Sequence, residues 1–265
     1  GERADASWPR RRAIAMPVLQ KILEVDDEFG DALLLTARLE MFPGGNVERS
    51  RQMLDKAMLV FKEENEKLAE ALVLKARLET DNQKKRGSLD RAIKLDPSNT
   101  DAWQARALVQ LRTGDFEQAV KDLETLLERD KDNYVALLAL AEAMANLKKT
   151  EEAIELAGRA IKLEADAPQA YELRARIYVL TNAMDLALVD VNKALHLLPG
   201  SYTSLLLRAR LLQAKEKYGE ALNDVETALK VRPKAVSALF LKSTIYESQR
   251  RFGRAAATMR QVVIL

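Results

Sequence analysis

The sequence contains no cysteine, which excludes disulfides, thiolate-bound zinc and a thiol nucleophile. It contains one histidine, His196, so histidine-rich metal sites and most nucleophile–base arrays are out of reach. His196 reads as a partly exposed helical side chain. No P-loop and no GxGxxG motif is present, and acidic pairs such as Glu63-Glu64 and Glu151-Glu152 read as solvated helix ends. No catalytic residue, metal or cofactor is expected. No apolar run approaches the roughly 18 residues that a membrane-spanning helix needs. Aromatic residues make up only 5% of the chain, and glycine and proline are sparse. The core must therefore come from Ala, Leu, Val and Ile, which suits closely packed helices better than a sandwich of strands.

Charge of neither sign dominates. Lys and Arg total 42 against 40 for Asp and Glu, without the basic excess of a dedicated nucleic-acid binder. No nucleic-acid partner and no membrane insertion are expected. Arg10, Arg11 and Arg12 read as a solvated flank. Residues 1–12, GERADASWPRRR, lack the apolar stretch of a secretion signal. An opening on Gly1 rather than Met suggests a piece of a longer protein. The composition fits a soluble chain and leaves cytoplasm and periplasm equally open.

What the sequence does contain is a repeat. From Thr100 onward, windows of 34 residues start at Thr100, Tyr134, Pro168, Tyr202 and Val236. Five residues at this period are alanine: Ala119, Ala153, Ala187, Ala221 and Ala255. Ala107, Ala141, Ala175, Ala209 and Ser243 are all small, and Trp103, Leu137, Tyr171, Leu205 and Leu239 are all large. Just past each turn stand Phe116, Thr150, Met184, Tyr218 and Phe252, four of them large and apolar. Each window reads as two amphipathic helices joined by a turn. Two antiparallel helices approach closely only where side chains are small, and the large residues wedge beside that contact. One hairpin cannot bury both faces, so neighbours must stack. Pro97, Pro168, Pro199 and Pro233 fall at joints between windows.

These residues resemble the tetratricopeptide repeat, whose signature runs W-x2-L-G-x2-Y, then Ala, an apolar residue and a late Pro. Trp103, Tyr178, Tyr246, the five alanines, and Pro97, Pro199 and Pro233 match it. Ala or Ser replaces the signature Gly, and Arg often replaces its Leu. The resemblance covers about residues 30–265. It implies an all-α, right-handed superhelical α-solenoid of antiparallel helix pairs: about seven units after a leading half unit. The expected boundaries are a flexible flank at 1–12 and an array over 13–265, with units near 30–68, 69–99, 100–133, 134–167, 168–201, 202–235 and 236–265. Residues 13–25 read as a lone second helix, with Pro17 suited to a first turn. Residues 47–64 read as a long partner helix. Residues 81–87 read as polar and turn-like.

The Arg replacement carries internal information. Arg106, Arg174 and Arg208 each have an aspartate sixteen residues on: Asp122, Asp190 and Asp224. In the unit from Tyr134 both positions become apolar together, as Leu140 and Leu156. This joint change predicts ion pairs within units and marks these arginines as structural.

Function is therefore sought in the variable residues. The resemblance implies that first helices line a concave groove, but the Lys/Asn pattern by which some family members clamp a terminal carboxylate is absent. The candidate partner-binding residues are Leu138, Glu142, Glu172, Arg176, Leu206, Arg210, Phe240 and Thr244. They suggest a non-enzymatic scaffold binding a peptide or helical segment, with apolar anchors and with Arg176 and Arg210 facing acids. The alternatives are a self-assembling array, or the repeat arm of a multidomain enzyme or of a secretion or assembly complex. The apolar end, Val262-Val263-Ile264-Leu265, has no polar capping helix, so the array is expected to continue or to associate with another molecule there.

Overall fold

A computed structural model describes residues 7–264. Among the described residues there are fifteen helices and no strand. The chain separates into two compact units between Lys131 and Asp132. The first holds α1 (Ser7–Val25), α2 (Gly30–Glu40), α3 (Val47–Val60), α4 (Asn65–Leu78), α5 (Asn82–Leu95), α6 (Thr100–Thr113) and α7 (Phe116–Arg129). The second holds α8 (Tyr134–Asn146), α9 (Thr150–Leu163), α10 (Pro168–Leu180), α11 (Met184–Leu197), α12 (Tyr202–Ala214), α13 (Tyr218–Val231), α14 (Val236–Ser248) and α15 (Phe252–Ile264). Each unit is a right-handed stack of antiparallel helix pairs. Within a unit a second helix packs on its own first helix and on that of the next pair. In the first unit α1 stands as a lone helix against α2.

The small residues set the close approach. All ten, from Ala107 and Ala119 to Ser243 and Ala255, are buried. Ser243 Oγ donates to the carbonyl of Ala255 at 3.2 Å, and Ser50 Oγ donates to the carbonyl of Ala37 at 2.8 Å. The serine sits on the first helix in one pair and on the second in the other, so the small contact tolerates a hydroxyl on either side. Trp103 packs on the core of the first unit, and its Nε1–H donates to the carbonyl of Pro97 at 2.9 Å. Asn46, Asp81, Asn99, Asn133 and Ser201 each accept from a backbone N–H three residues on, closing helix starts that would otherwise leave donors unmatched.

The turns inside pairs share a feature hidden in the sequence. Gly114, Lys148, Asn182, Glu216 and Arg250 stand 34 residues apart and all have positive φ, from 59° to 81°. Only Gly114 adopts this left-handed conformation without a steric cost.

Four local expectations change. The flank at 1–12 lies partly outside the described residues, and residues 7–12 are helical. Pro17 sits well inside α1; it and Ala13, whose carbonyl its ring leaves without a donor, are exposed to solvent. Residues 47–64 are not one long helix: α3 ends at Val60 and α4 begins at Asn65. Residues 82–87 are not a turn but the first part of α5, polar because nearly all of it is exposed.

Arg12 is also more than a solvated flank. The carboxylate of Glu40 is only 3% exposed; it accepts from Arg12 Nη2 at 3.0 Å and from the Asn46 N–H at 2.8 Å. A side chain at Gly45 would stand 2.2 Å from the Glu40 carbonyl, so the Pro43-Gly44-Gly45 turn requires a glycine there.

Candidate functional site

The three expected arginine pairs are present. Arg106 meets both oxygens of Asp122 at 2.8 Å, Arg174 meets Asp190 at 2.7 and 2.8 Å, and Arg208 meets Asp224 at 2.8 and 2.7 Å. The aspartates are buried. Hydrogen bonding to them raises the pKa of each guanidinium above its ordinary value, against the opposing effect of burial. Arg106 lies over Trp103 and Arg174 over Tyr178, at 5.0 and 5.9 Å from the ring centres.

The sequence reading missed the other half of this brace. Arg106 also donates to Asp90 at 2.7 Å, and Arg208 to Asn192 at 2.9 Å. Lys242, at the next repeat position, pairs with Glu226 at 3.2 Å. Each partner lies sixteen residues back, on the second helix of the preceding pair. Arg106 and Arg208 therefore each tie their own pair together and tie that pair to its neighbour, while Lys242 makes the tie to the preceding pair. A search sixteen residues backward, as well as forward, would have revealed it.

Arg176 and Arg210 differ sharply from these. Each lies two residues beyond a braced arginine, on α10 and α12. Two helical residues turn through about 200°, so Arg174 and Arg208 face the second helices while Arg176 and Arg210 face away. Both are exposed, and among the described residues neither has a hydrogen-bonding or ionic partner. Glu142 and Thr244 occupy the same repeat position on α8 and α14, so the row reads acid, base, base, hydroxyl. The Glu142 side chain is exposed, and Thr244 is half-buried, its hydroxyl donating to the Leu241 carbonyl.

The remaining candidates divide. Phe240 is 55% exposed, and Leu138 is half-buried. Leu206 is buried in the core of the second unit and offers no open surface. Glu172 is held between helices: it accepts from Ser204 and Thr203 at 2.7 and 2.8 Å, fastening α10 to α12. Exposed apolar residues of the first helices were missed, among them Leu108 on α6, Val135 on α8, Leu180, 65% exposed, at the end of α10, and Val236 on α14. Carrying the 34-residue register along the whole of each first helix would have included them.

Among the described residues no group of three or more His, Asp or Glu could hold a metal ion, and no helix is long and apolar enough to cross a membrane. His196 is exposed on α11.

Residues 88–121, 110–177 and 206–265 match family models described as tetratricopeptide repeat. Over 111 residues the chain is 25% identical to anaphase-promoting complex subunit 3 of Schizosaccharomyces pombe, an alignment covering 42% of this chain and 17% of that protein. It is 28% identical to human tetratricopeptide repeat protein 13 over 111 residues, 40% of this chain and 13% of that one. These matches thus span less than a fifth of either relative. Among solved structures, yeast Tom70 superposes with a TM-score of 0.65 at 20% identity, covering all of this chain and 56% of Tom70.

Proposed function

Because the chain belongs to the tetratricopeptide-repeat family, we propose that it is a non-enzymatic scaffold whose first helices in the second unit, α8, α10, α12 and α14, form a groove that captures an acidic segment of a partner protein. The observation that carries this reading is the contrast between neighbouring arginines. Arg174 and Arg208 are held by buried aspartates, while Arg176 and Arg210 are exposed and, among the described residues, unpaired. A guanidinium is a rigid fork of donors suited to carboxylates, and two of them at equivalent positions of adjacent pairs make a repeated receptor. Val135, Leu180 and Phe240 supply apolar anchors around them.

The test is selection from a displayed library of random twelve-residue peptides on the intact chain. Enriched peptides should be rich in Asp and Glu, and should lose binding to an Arg176→Glu/Arg210→Glu variant that keeps its helical content. Enriched peptides that bind this variant as well as the parent would refute the groove reading.

A second reading, self-association through α15, rests on Phe252 and Val263, which are 66% and 85% exposed. Sedimentation that shows only monomer across a wide concentration range would remove it.

A further inference from the structure

Arg174 leaves open a donor that its counterparts use. Arg106 Nη1 donates to Asp90 at 2.7 Å and Arg208 Nη1 to Asn192 at 2.9 Å, each acceptor on the second helix of the preceding pair. Thirty-four residues before Asn192 stands Gly158, on α9. Arg174 gives Nε and Nη2 to Asp190, and its Nη1 has no hydrogen-bonding partner among the described residues. Nothing local requires the glycine. It lies inside α9 without the left-handed φ that favours glycine, and a Cβ there would stand 3.7 Å from Nη1, an ordinary contact distance. Its effect is to uncover the edge of a guanidinium where other pairs place an acceptor.

The same place departs from the repeat in a second way. A cleft of about 520 Å³ between α11 and α13 is lined by Leu188, Asn192, Arg208, Glu220 and Asn223. The repeat puts Ile154, Gly158, Arg174, Leu186 and Val189 at the matching places between α9 and α11, and α10 packs against both of those helices. The wall formed by Glu220 and Asn223 on α13 is therefore Leu186 and Val189 on α11, which are 51% and 65% exposed. Lys162, exposed and without an ionic partner among the described residues, lies one helical turn beyond Gly158. The two acids of α11 are engaged, Asp190 with Arg174 and Asp185 with Lys215. Glu152 and Glu155 hold the repeat positions of Leu186 and Val189, on the other flank of α9. An uncovered donor, a missing acceptor and two exposed apolar side chains thus coincide. Their complement is one carboxylate beside an apolar group.

We infer that the second unit carries a second docking site, on the face of its second helices between α9 and α11, for a partner-protein segment that supplies a carboxylate to Arg174 Nη1 and seats an apolar side chain on Leu186 and Val189. A simple anion would leave that apolar pair in water, whereas a protein segment covers both features. The guest carboxylate takes the place beside Arg174 that Asp90 holds beside Arg106. The site is independent of the groove, which uses the opposite flank of α10.

The test is a selection from displayed random twelve-residue peptides on the intact chain carrying Arg176→Glu/Arg210→Glu, which removes the groove arginines. Enriched peptides should share an Asp or Glu close to a Leu, Ile or Phe. Their affinities are then read by fluorescence anisotropy on further variants whose helical content matches the parent. Gly158→Asp gives Arg174 a carboxylate of the chain itself and should weaken binding about tenfold, the scale of one charge-assisted contact, while Gly158→Ala should leave it unchanged. Arg174→Leu/Asp190→Leu, which copies Leu140 and Leu156, should weaken binding as much. So should Leu186→Glu/Val189→Asn, which installs the residue types of α13. Indifference to Gly158→Asp or to either double variant, an equal loss on Gly158→Ala, or no enriched peptide at all overturns the site. None of these outcomes bears on the groove, whose arginines are already removed.

Discussion

Arg174 grips both carboxylate oxygens of Asp190, at 2.7 and 2.8 Å, across the contact between α10 and α11. The aspartate is 5% exposed and the arginine 24%, so the pair is neither a surface bridge nor fully desolvated. Asp190→Ala leaves the guanidinium half-buried without its partner and should cost about 2–4 kcal/mol. Replacing both by Leu reproduces the Leu140/Leu156 arrangement of the preceding pair and should come within about 1 kcal/mol of the parent. Urea denaturation of the parent, Arg174→Leu, Asp190→Leu and the double Leu variant, alongside Asp190→Ala, checks this. A coupling energy near zero would mean that the contact adds nothing.

The left-handed turns predict stabilisation by glycine. Lys148, Glu216 and Arg250 have φ near +60° and exposed side chains. Each should gain about 0.5–1 kcal/mol on replacement by Gly, relief of backbone strain outweighing the added freedom of the unfolded chain. Asn182→Gly should gain less, because Asn tolerates this region. Gly114→Ala should lose about 1 kcal/mol. Thermal melts of the five variants test the order.

Gly30 opens α2 against the ring of Phe61, where a Cβ would lie 2.2 Å from Cζ. Gly30→Ala should therefore destabilise by about 1–3 kcal/mol despite the better helix propensity of alanine. Phe61→Leu, which removes the colliding ring edge, should restore much of the loss in the double variant. An unaffected melting temperature for Gly30→Ala alone would show that the ring moves aside freely.

Tyr134 carries a pH signature. Its hydroxyl is buried without a well-formed hydrogen bond. Burial, aided by the negative charge of Glu164, raises its pKa above the ordinary 10.0. The unfolded chain then ionises first as pH rises through 10.0, so the stability tied to neutral Tyr134 is full below that pH and declines above it. Tyr134→Phe should be as stable as the parent or about 1 kcal/mol more stable at neutral pH, and its advantage should widen above pH 10. Parallel alkaline unfolding curves would count against this.

The helix pairs from Thr100 onward were legible because the same packing problem is solved five times, so register cancels local noise. The Arg–Asp braces were legible because one unit changes both members together. The left-handed turns were not, because Lys148, Glu216 and Arg250 are ordinary surface residues forced into an unusual conformation by the helices on either side. The start of α5 was missed for a related reason: Asn82 to Gly87 bury little, so nothing apolar marks them, and the helix is announced only by the Asp81 cap. Glu40 pairs with Arg12 across 28 residues and a glycine turn, a distance no periodicity spans. Of the candidate surface, Arg176 and Arg210 were found by register. Leu206 shares their helix face by spacing, but packing against neighbouring pairs draws it inward.

Arg174 and Arg176, like Arg208 and Arg210, divide one helix into two jobs by angle alone. At these positions the arginine that holds the stack together and the arginine that faces outward are different residues. On the groove proposal, changes at the exposed Glu142, Arg176 and Arg210 therefore demand no repair in the layer beneath. If Arg176 and Arg210 receive a partner as proposed, specificity can be rewritten position by position while the architecture is inherited unchanged.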